Sequence, residues 1–286
     1  MGEHVSRRMW RVTEPFHAVV YFAPEPRAAY DVAGLKGGWM GYFASRSAAM
    51  GPVPPEVVVA TFYNFHPDMV RRAIPDAWSF ATPTAVLEAR QDGVDAALRR
   101  VLGALSDGDD VLEAAELARR ATAACSAPGR PLYAGHSHLP WPTTPHLELW
   151  HACTLLREWR GDGHVTALSI AGLNGCEANV ALAALGMVPR SSLEKFRGWS
   201  DDDLDAATRR LQARGWLDPK GRLTKEGGTA HALLEQRTDE LAVAPWRHLG
   251  DNGCARLHEL MTTVLRPVLE FGLITYPNPI GVPRPD

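Results

Sequence analysis

Apolar residues recur at helical spacing in nearly every long segment of this 286-residue chain, and this periodicity constrains the fold most. In residues 83–105, for example, Val94, Leu98 and Val101 follow one another at intervals of three or four. That spacing places side chains on one face of an α-helix, whereas a half-buried strand would need strict alternation. Residues 108–125 have the same periodicity. The pattern predicts an all-α chain.

The composition is that of an ordinary globular protein, with 45% hydrophobic and 22% charged residues. A net charge of −3 provides no overall basic field that would attract nucleic acid. No run approaches the roughly 18 apolar residues of a membrane-spanning helix. The first ten residues lack the apolar core of a signal peptide. We therefore expect a cytoplasmic protein with no membrane partner.

Metal and cofactor motifs are missing from the sequence. The cysteines are scattered without a C-x-x-C pair, which predicts reduced thiols. Glu148 and His151 have the E-x-x-H spacing of carboxylate-bridged metal sites, but a second such pair is missing. Phosphate-binding and dinucleotide-binding motifs are also lacking. The sequence thus predicts no metal site and leaves any cofactor unknown. The four cysteines are Cys125, Cys153, Cys176 and Cys254.

Residues 127–145 are rich in Pro, Gly and His and mark the best candidate domain boundary. We predict a helical domain over 1–126, an ordered crossing over 127–145, a second domain over 146–270 and an irregular tail over 271–286. Within the crossing, His136 and His138 are spaced as in an extended segment, which would point them to opposite sides.

Residues 54–67 combine strand-forming side chains with a position between helical patterns. A lone strand has no evident partner there, so this segment is predicted to be a buried helix. It should end before Pro67, which suits the first position of the next helix.

The stretch from His146 to His164, HLELWHACTLLREWRGDGH, is the densest run of chemically able side chains. Helical spacing places His151 beside its apolar stripe. Gly161 and Gly163 are predicted to end the helix, with Arg157 and Arg160 in its last turn. Two interpretations stand: a ligand site at a helix end, or ordinary core histidines and helix-terminal arginines.

The site interpretation groups this stretch with the N-terminal half in one mostly apolar pocket, as is usual for small-molecule sites. Arginines would hold a carboxylate or phosphate, and a histidine would move protons. Arg46 can equally pair with a carboxylate, and Asn64 and His66 can equally cap helices. The acid–base candidates are His151, Asp162 and His164. The ligand-binding candidates are Trp39, Tyr42, Arg46, Asn64, His66, Arg157 and Arg160.

The C-terminal half has clear helix-boundary signals. Ser200 followed by Asp203 has the spacing of a capping box. Gly215 should end that helix, and Pro219-Lys220-Gly221 should form the turn of a short hairpin over 216–224. Thr224 should cap a long helix to about Ala242, and a last helix is predicted over about 252–270.

The portion TRRLQARGWLDPKGRLTKEG resembles the recognition-helix end, wing and following helix of MarR-like regulators, through L-x-x-x-G-W-L and L-T-x-E-G. This resemblance covers roughly Leu147 to Leu260 and implies a winged helix-turn-helix with one hairpin wing. The whole chain also resembles a family of actinobacterial proteins, which implies a fold and no reaction. The motifs that carry this second resemblance lie at Trp39–Arg46, Ala60–Pro67, Leu139–Pro142 and Thr154–His164.

Charge argues against tight DNA binding by this module. The helix in the recognition position opens with acidic residues, which would lie near phosphates. Between Glu194 and Glu226, eight Lys and Arg stand against seven Asp and Glu. This is a weak electrostatic signal for nucleic acid. The acidic residues are Asp201, Asp202, Asp203 and Asp205.

Two functions remain open from the sequence. The first is a small-molecule-binding protein, or an acid–base enzyme, that uses the winged helix as a scaffold. The alternative is a MarR-like, ligand-responsive transcription regulator that binds DNA as a homodimer. The acidic recognition helix favours the first function, and the resemblance favours the second.

Overall fold

A computed structural model describes residues 3–278 and 280–285. These residues form fifteen α-helices, two short 3-10 helices and a single isolated β-bridge, so the predicted all-α class is confirmed. The first eight helices are α1 (Val5–Phe22), α2 (Pro24–Val32), α3 (Gly37–Ser47), α4 (Pro55–Phe62), α5 (Pro67–Arg71), α6 (Ala77–Phe80), α7 (Pro83–Leu102) and α8 (Asp109–Thr122). The others are α9 (Pro131–Ser137), α10 (Pro145–Ile170), α11 (Gly175–Ala184), α12 (Arg190–Arg197), α13 (Asp201–Ala213), α14 (Lys225–Leu241) and α15 (Ala244–Glu270).

The largest hydrophobic core joins α1, α7 and α8 to α10 and α15. Phe16, Leu98, Leu149, Leu257 and Leu265 are fully buried in it. Helices from both sides of the predicted crossing at 127–145 therefore share one core. The domain boundary itself stays a prediction.

Two further cores flank the first. One lies among α2 to α6 and is rich in aromatic rings, including Phe43, Phe62 and Phe65. The other joins the C-terminal end of α10 to α11, α13 and α14, with Leu204 and Leu211 buried at its centre. None of the helices described here has both the length and the apolar character needed to cross a membrane.

Helix α10 runs unbroken from Pro145 to Ile170, so the predicted helix end at Gly161 and Gly163 is wrong. A Cβ atom at Gly163 would lie 2.8 Å from the Arg130 guanidinium and 3.3 Å from Leu241 Cβ. Glycine here permits close packing, and tertiary contacts outweigh its cost of about 1 kcal/mol in a helix. As a consequence His164 continues along the helix instead of turning back.

The extended conformation predicted around His136 is also wrong, because residues 131–137 form α9. Pro131 fits at the start of this helix, where its missing N–H costs nothing. The helix boundaries predicted near Pro67 agree with the structure. The segment predicted as a buried helix forms α4, but only Val58, Thr61 and Phe62 of this helix are buried. Helix α5 begins at Pro67 as expected.

Local capping signals in the C-terminal half are confirmed. Ser200 and Asp203 form a reciprocal capping box on α13, and Thr224 caps α14. The predicted hairpin is reduced to one bridge between Leu217 and Leu223. Gly250, with a φ of +76°, interrupts α15, and the helical stretch that follows it agrees with the last helix predicted over about 252–270. Residues 271–278 and 280–285 form neither helix nor strand, as predicted for the tail, and residues 279 and 286 lie outside the described part.

Candidate functional site

The predicted pocket residues of α10 are spread along one unbroken helix. His151 and His164 lie thirteen positions apart, which is about 20 Å of helix rise. A single small ligand cannot contact both side chains. Each residue is instead engaged at a different place along α10.

His151 lies in the core, 5% exposed, with its ring 4.7 Å from Trp141 in an edge-on arrangement. Burial, assisted by the charges of Arg90 and Arg119, lowers the pKa of His151 to about 4, so the ring is neutral at pH 7. Its Nε2 atom has no hydrogen-bond partner among the described residues. Glu148, its predicted metal-site companion, pairs with Arg119 at 2.7 Å.

Arg157 and Arg46 converge on Glu158, a fully buried carboxylate that the sequence prediction missed. Arg46 Nη2 lies 3.0 Å and Arg157 Nη1 2.7 Å from Glu158 Oε2. Tyr42 accepts a further hydrogen bond of 2.9 Å from Arg46. Burial would raise the pKa of Glu158, but Arg157 and then Arg46 hold it well below its usual range. The pairing alternative for Arg46 is thus the one observed.

Asp162, Arg160 and His164 make structural contacts with three different partners. Asp162 accepts a hydrogen bond of 3.0 Å from the Tyr133 amide, and burial raises the pKa of Asp162 to about 6. Arg160 pairs with Asp239 at 2.9 Å. His164 Nδ1 lies 3.0 Å from the Thr238 hydroxyl on α14. These contacts fasten α10 to α9 and α14.

Asn64 and His66 connect the N-terminal half to the C-terminal helices. The Asn64 carbonyl accepts hydrogen bonds from Asn179 on α11 and from Trp199, at 2.8 and 3.0 Å. The His66 amide donates to the Arg197 carbonyl at 2.8 Å, while its side chain caps α5. The capping alternative therefore applies to His66. Trp39, also a ligand-binding candidate, packs against Tyr42, Phe43 and Phe65.

Arg90, on α7, is the most unusual polar residue of the core, and the sequence prediction missed it. It is 3% exposed, and its guanidinium lies 4.7 Å from the centre of the Trp150 ring. Its Nε and Nη2 atoms have no hydrogen-bond partner within the described residues. The sequence does carry a signal, because Arg90 lies four residues from both Val86 and Val94, which are fully buried.

The exposed surface of the C-terminal helices centres on α13. Asp201, Asp202 and Arg209 are exposed along it. Arg190, at the start of α12, pairs with Asp205 at 2.6 Å. A groove of about 450 Å³ runs between α11, α13 and the bridged segment. Arg190, Arg210 and Arg222 are thus each paired with a carboxylate of the same region.

Comparison with known families identifies this architecture. A family model described as a helix-turn-helix family matches residues 6–275. This chain belongs to that helix-turn-helix family. Searches of the curated proteins and of the solved structures gave no match.

The helix-turn-helix assignment agrees with the connection between α12 and α13. Residues 198–200 form a three-residue turn, the length usual for such motifs. Gly198 has a φ of +77°, a conformation that favours glycine. The His66 amide reaches this region through Arg197, so the N-terminal half directly supports the turn.

Proposed function

We propose that this protein is a ligand-responsive transcription regulator, with a MarR-like winged helix-turn-helix that binds DNA as a dimer. The observation that carries the proposal is the succession of α12, a three-residue turn and α13, followed by the Leu217–Leu223 bridge at the wing position. A recognition helix in this arrangement enters the major groove with its N-terminal residues foremost. We also propose that the chain is related to the actinobacterial proteins that it resembles.

The charges on α13 set the expected strength of binding. Asp201 and Asp202 are exposed at the N-terminal end of α13 and would repel phosphates. Arg209 on α13 and Lys220 and Arg222 on the bridged segment are exposed cations. We therefore expect weak binding that falls steeply with salt, since it depends on a few phosphate contacts.

Fluorescence anisotropy with labelled duplexes from the region upstream of the gene tests this proposal across a series of salt concentrations. Asp201→Asn combined with Asp202→Asn should tighten binding, and Arg209→Ala should weaken it. Losing one phosphate contact should reduce the salt slope by about 1. Arg266→Ala is the matched control, because Arg266 is exposed on α15, which packs on α1, α7 and α8.

The dimer is tested in the same samples by analytical ultracentrifugation with and without duplex. Two protein chains per bound duplex are expected. Equal affinity of all three variants, or no binding even at low salt, would refute a DNA-binding role for α13.

Binding of a small molecule remains part of the proposal, and it is supported by different residues from the predicted pair His151 and His164. The separation of His151 from His164 along α10 gives no support to an acid–base pair. The unpartnered polar atoms around Arg90 give better support for a ligand site in the helical half.

A further inference from the structure

A buried guanidinium without a counter-charge is the feature of this protein that most needs a ligand. Arginine stays protonated at any ordinary pH, so it cannot relieve burial by losing its proton. A charge removed from water without a partner carries a large desolvation cost. Within residues 3–278 and 280–285, no carboxylate lies within ion-pair distance of Arg90. Stacking on Trp150 stabilises the cation but supplies no hydrogen-bond acceptor.

His136, from α9, presents an acceptor in the same part of the core. It is fully buried, and its Nδ1 atom lies 2.9 Å from the Leu132 carbonyl. A carbonyl can only accept, so Nδ1 carries the proton and Nε2 is left with a lone pair. That Nε2 atom has no partner among the described residues. Helices α7 and α9 both pack against the 3-10 helix Ala48–Met50, and both contact α10, which carries Trp150.

The surroundings of His136 fix its protonation state. Burial, and next the charge of Arg90, lowers the pKa of His136 to about 3. The ring is therefore neutral at pH 7, and its Nε2 remains an acceptor. His151, which follows Trp150, has a second unpartnered Nε2 atom.

We propose that Arg90 and His136 form a buried binding site for a small oxyanion that also carries a hydroxyl group. Two oxygens of the anion accept hydrogen bonds from Nε and Nη2 of Arg90, the side-on geometry that suits a carboxylate. The hydroxyl group donates to Nε2 of His136. Bicarbonate is the smallest anion with this combination. The proposal is independent of DNA binding.

A water molecule is the competing occupant. Water can accept from one N–H of Arg90 and donate to His136, but it leaves the positive charge of the guanidinium unbalanced. Bicarbonate supplies both the negative charge and the hydroxyl donor. Formate supplies the charge alone, so a comparison of the two anions isolates the contribution of His136.

Isothermal titration of the full-length protein with bicarbonate and with formate, in degassed buffer lacking other small oxyanions, tests the proposal. Bicarbonate should bind saturably at one site per chain, about tenfold more tightly than formate, since one hydrogen bond is worth roughly that factor. His136→Phe should remove this preference, and Arg90→Met should abolish the binding of both anions. Arg99→Met, an exposed arginine change on the same helix, should bind like wild type.

Burial could keep a bound anion in place during purification, so the wild-type protein is also denatured and the released anions are measured by ion chromatography. Saturable binding lost in Arg90→Met, or one equivalent of anion released from the wild type, supports the site. Unchanged binding in Arg90→Met overturns it. Neither titration nor release in the wild type also overturns it and leaves ordered water as the occupant.

Discussion

Two arginines in this protein are equally buried but differ in every polar contact. Arg46 is 5% exposed and Arg90 is 3% exposed, and both guanidiniums stack on an aromatic ring. Arg46 also makes a bidentate pair with Glu158. Arg90 has no such partner among the described residues. Both arginines therefore stack on an aromatic ring, and they differ in that only Arg46 has a carboxylate partner within the described residues.

The helical half thus contains two different groups of buried charges. In one, Glu158 balances Arg46 and Arg157. In the other, Arg90 has no carboxylate partner among the described residues. Around Glu158, two cations share one carboxylate, with Glu14 lying 3.5 Å from Arg157 on the outer side. Such a cluster is expected to rigidify the contact between α3 and α10. Around Arg90, the unsatisfied N–H donors are the basis for proposing a ligand from outside the chain.

Glu158→Gln should have the largest effect on stability, because it leaves Arg46 as an unbalanced charge like Arg90 and Arg157 with Glu14 alone. Breaking a buried pair in this way costs about 3–5 kcal/mol. Urea unfolding at pH 7 measures the loss. Glu113→Gln is the control, because Glu113 pairs with Arg256 on the surface, where solvent screening leaves an ion pair with little effect on stability. Similar losses in both variants would contradict the distinction between buried and surface pairs.

Acid should destabilise the folded protein through His151, which follows Trp150, the ring on which Arg90 stacks. The folded-state pKa of His151, about 4, lies below its unfolded value of roughly 6.5. The unfolded chain therefore binds a proton that the native state refuses, and stability falls as the pH drops from about 6.5 to about 4. His151→Phe should remove about 3 kcal/mol of that fall by pH 4.

Urea unfolding across this pH range checks the prediction, with His248→Phe at an exposed position as the control. Asp162 acts in the opposite sense, because its pKa of about 6 lies above the ordinary value. Protonation of Asp162 below pH 6 therefore favours the folded state. An unchanged pH slope in His151→Phe would show that this histidine does not contribute to acid sensitivity.

Two tyrosine hydroxyls sharpen the comparison at smaller scale. The Tyr42 hydroxyl accepts from Arg46, so Tyr42→Phe should cost about 2 kcal/mol, as for hydrogen bonds to charged groups. The Tyr30 hydroxyl is buried beside the uncharged Ser45 hydroxyl, which itself donates to the Tyr42 carbonyl. Tyr30→Phe should therefore change stability by less than about 0.5 kcal/mol. Thermal unfolding of both variants distinguishes them, and equal costs would argue that Tyr30 is also hydrogen-bonded.

Ser200→Ala should give a small effect and provides a control from outside both groups of buried charges. Loss of this cap on α13 should cost about 1 kcal/mol. Bicarbonate titration of the variant should match wild type. A change in anion affinity would mean that α13 and Arg90 are coupled.

Local signals in the sequence predicted the fold better than they predicted the site. The capping box at Ser200 depends on residues three positions apart, so the sequence was sufficient to find it. The helix through Gly163 depends on Arg130 and Leu241, which approach from other segments. Glu158 and Arg46 are 112 residues apart, so their pairing could not be predicted from spacing.

Urea unfolding of Arg46→Met and Arg90→Met at pH 7, without added oxyanions, tests most directly whether the two arginines differ in kind. Arg46→Met leaves Glu158 with Arg157 alone, and we predict a loss of about 3 kcal/mol. Arg90→Met removes an unbalanced charge, and we predict a change between zero and a gain of about 1 kcal/mol. With bicarbonate at saturation, the wild type should become more stable than Arg90→Met. An equal loss in both variants without bicarbonate would contradict the distinction.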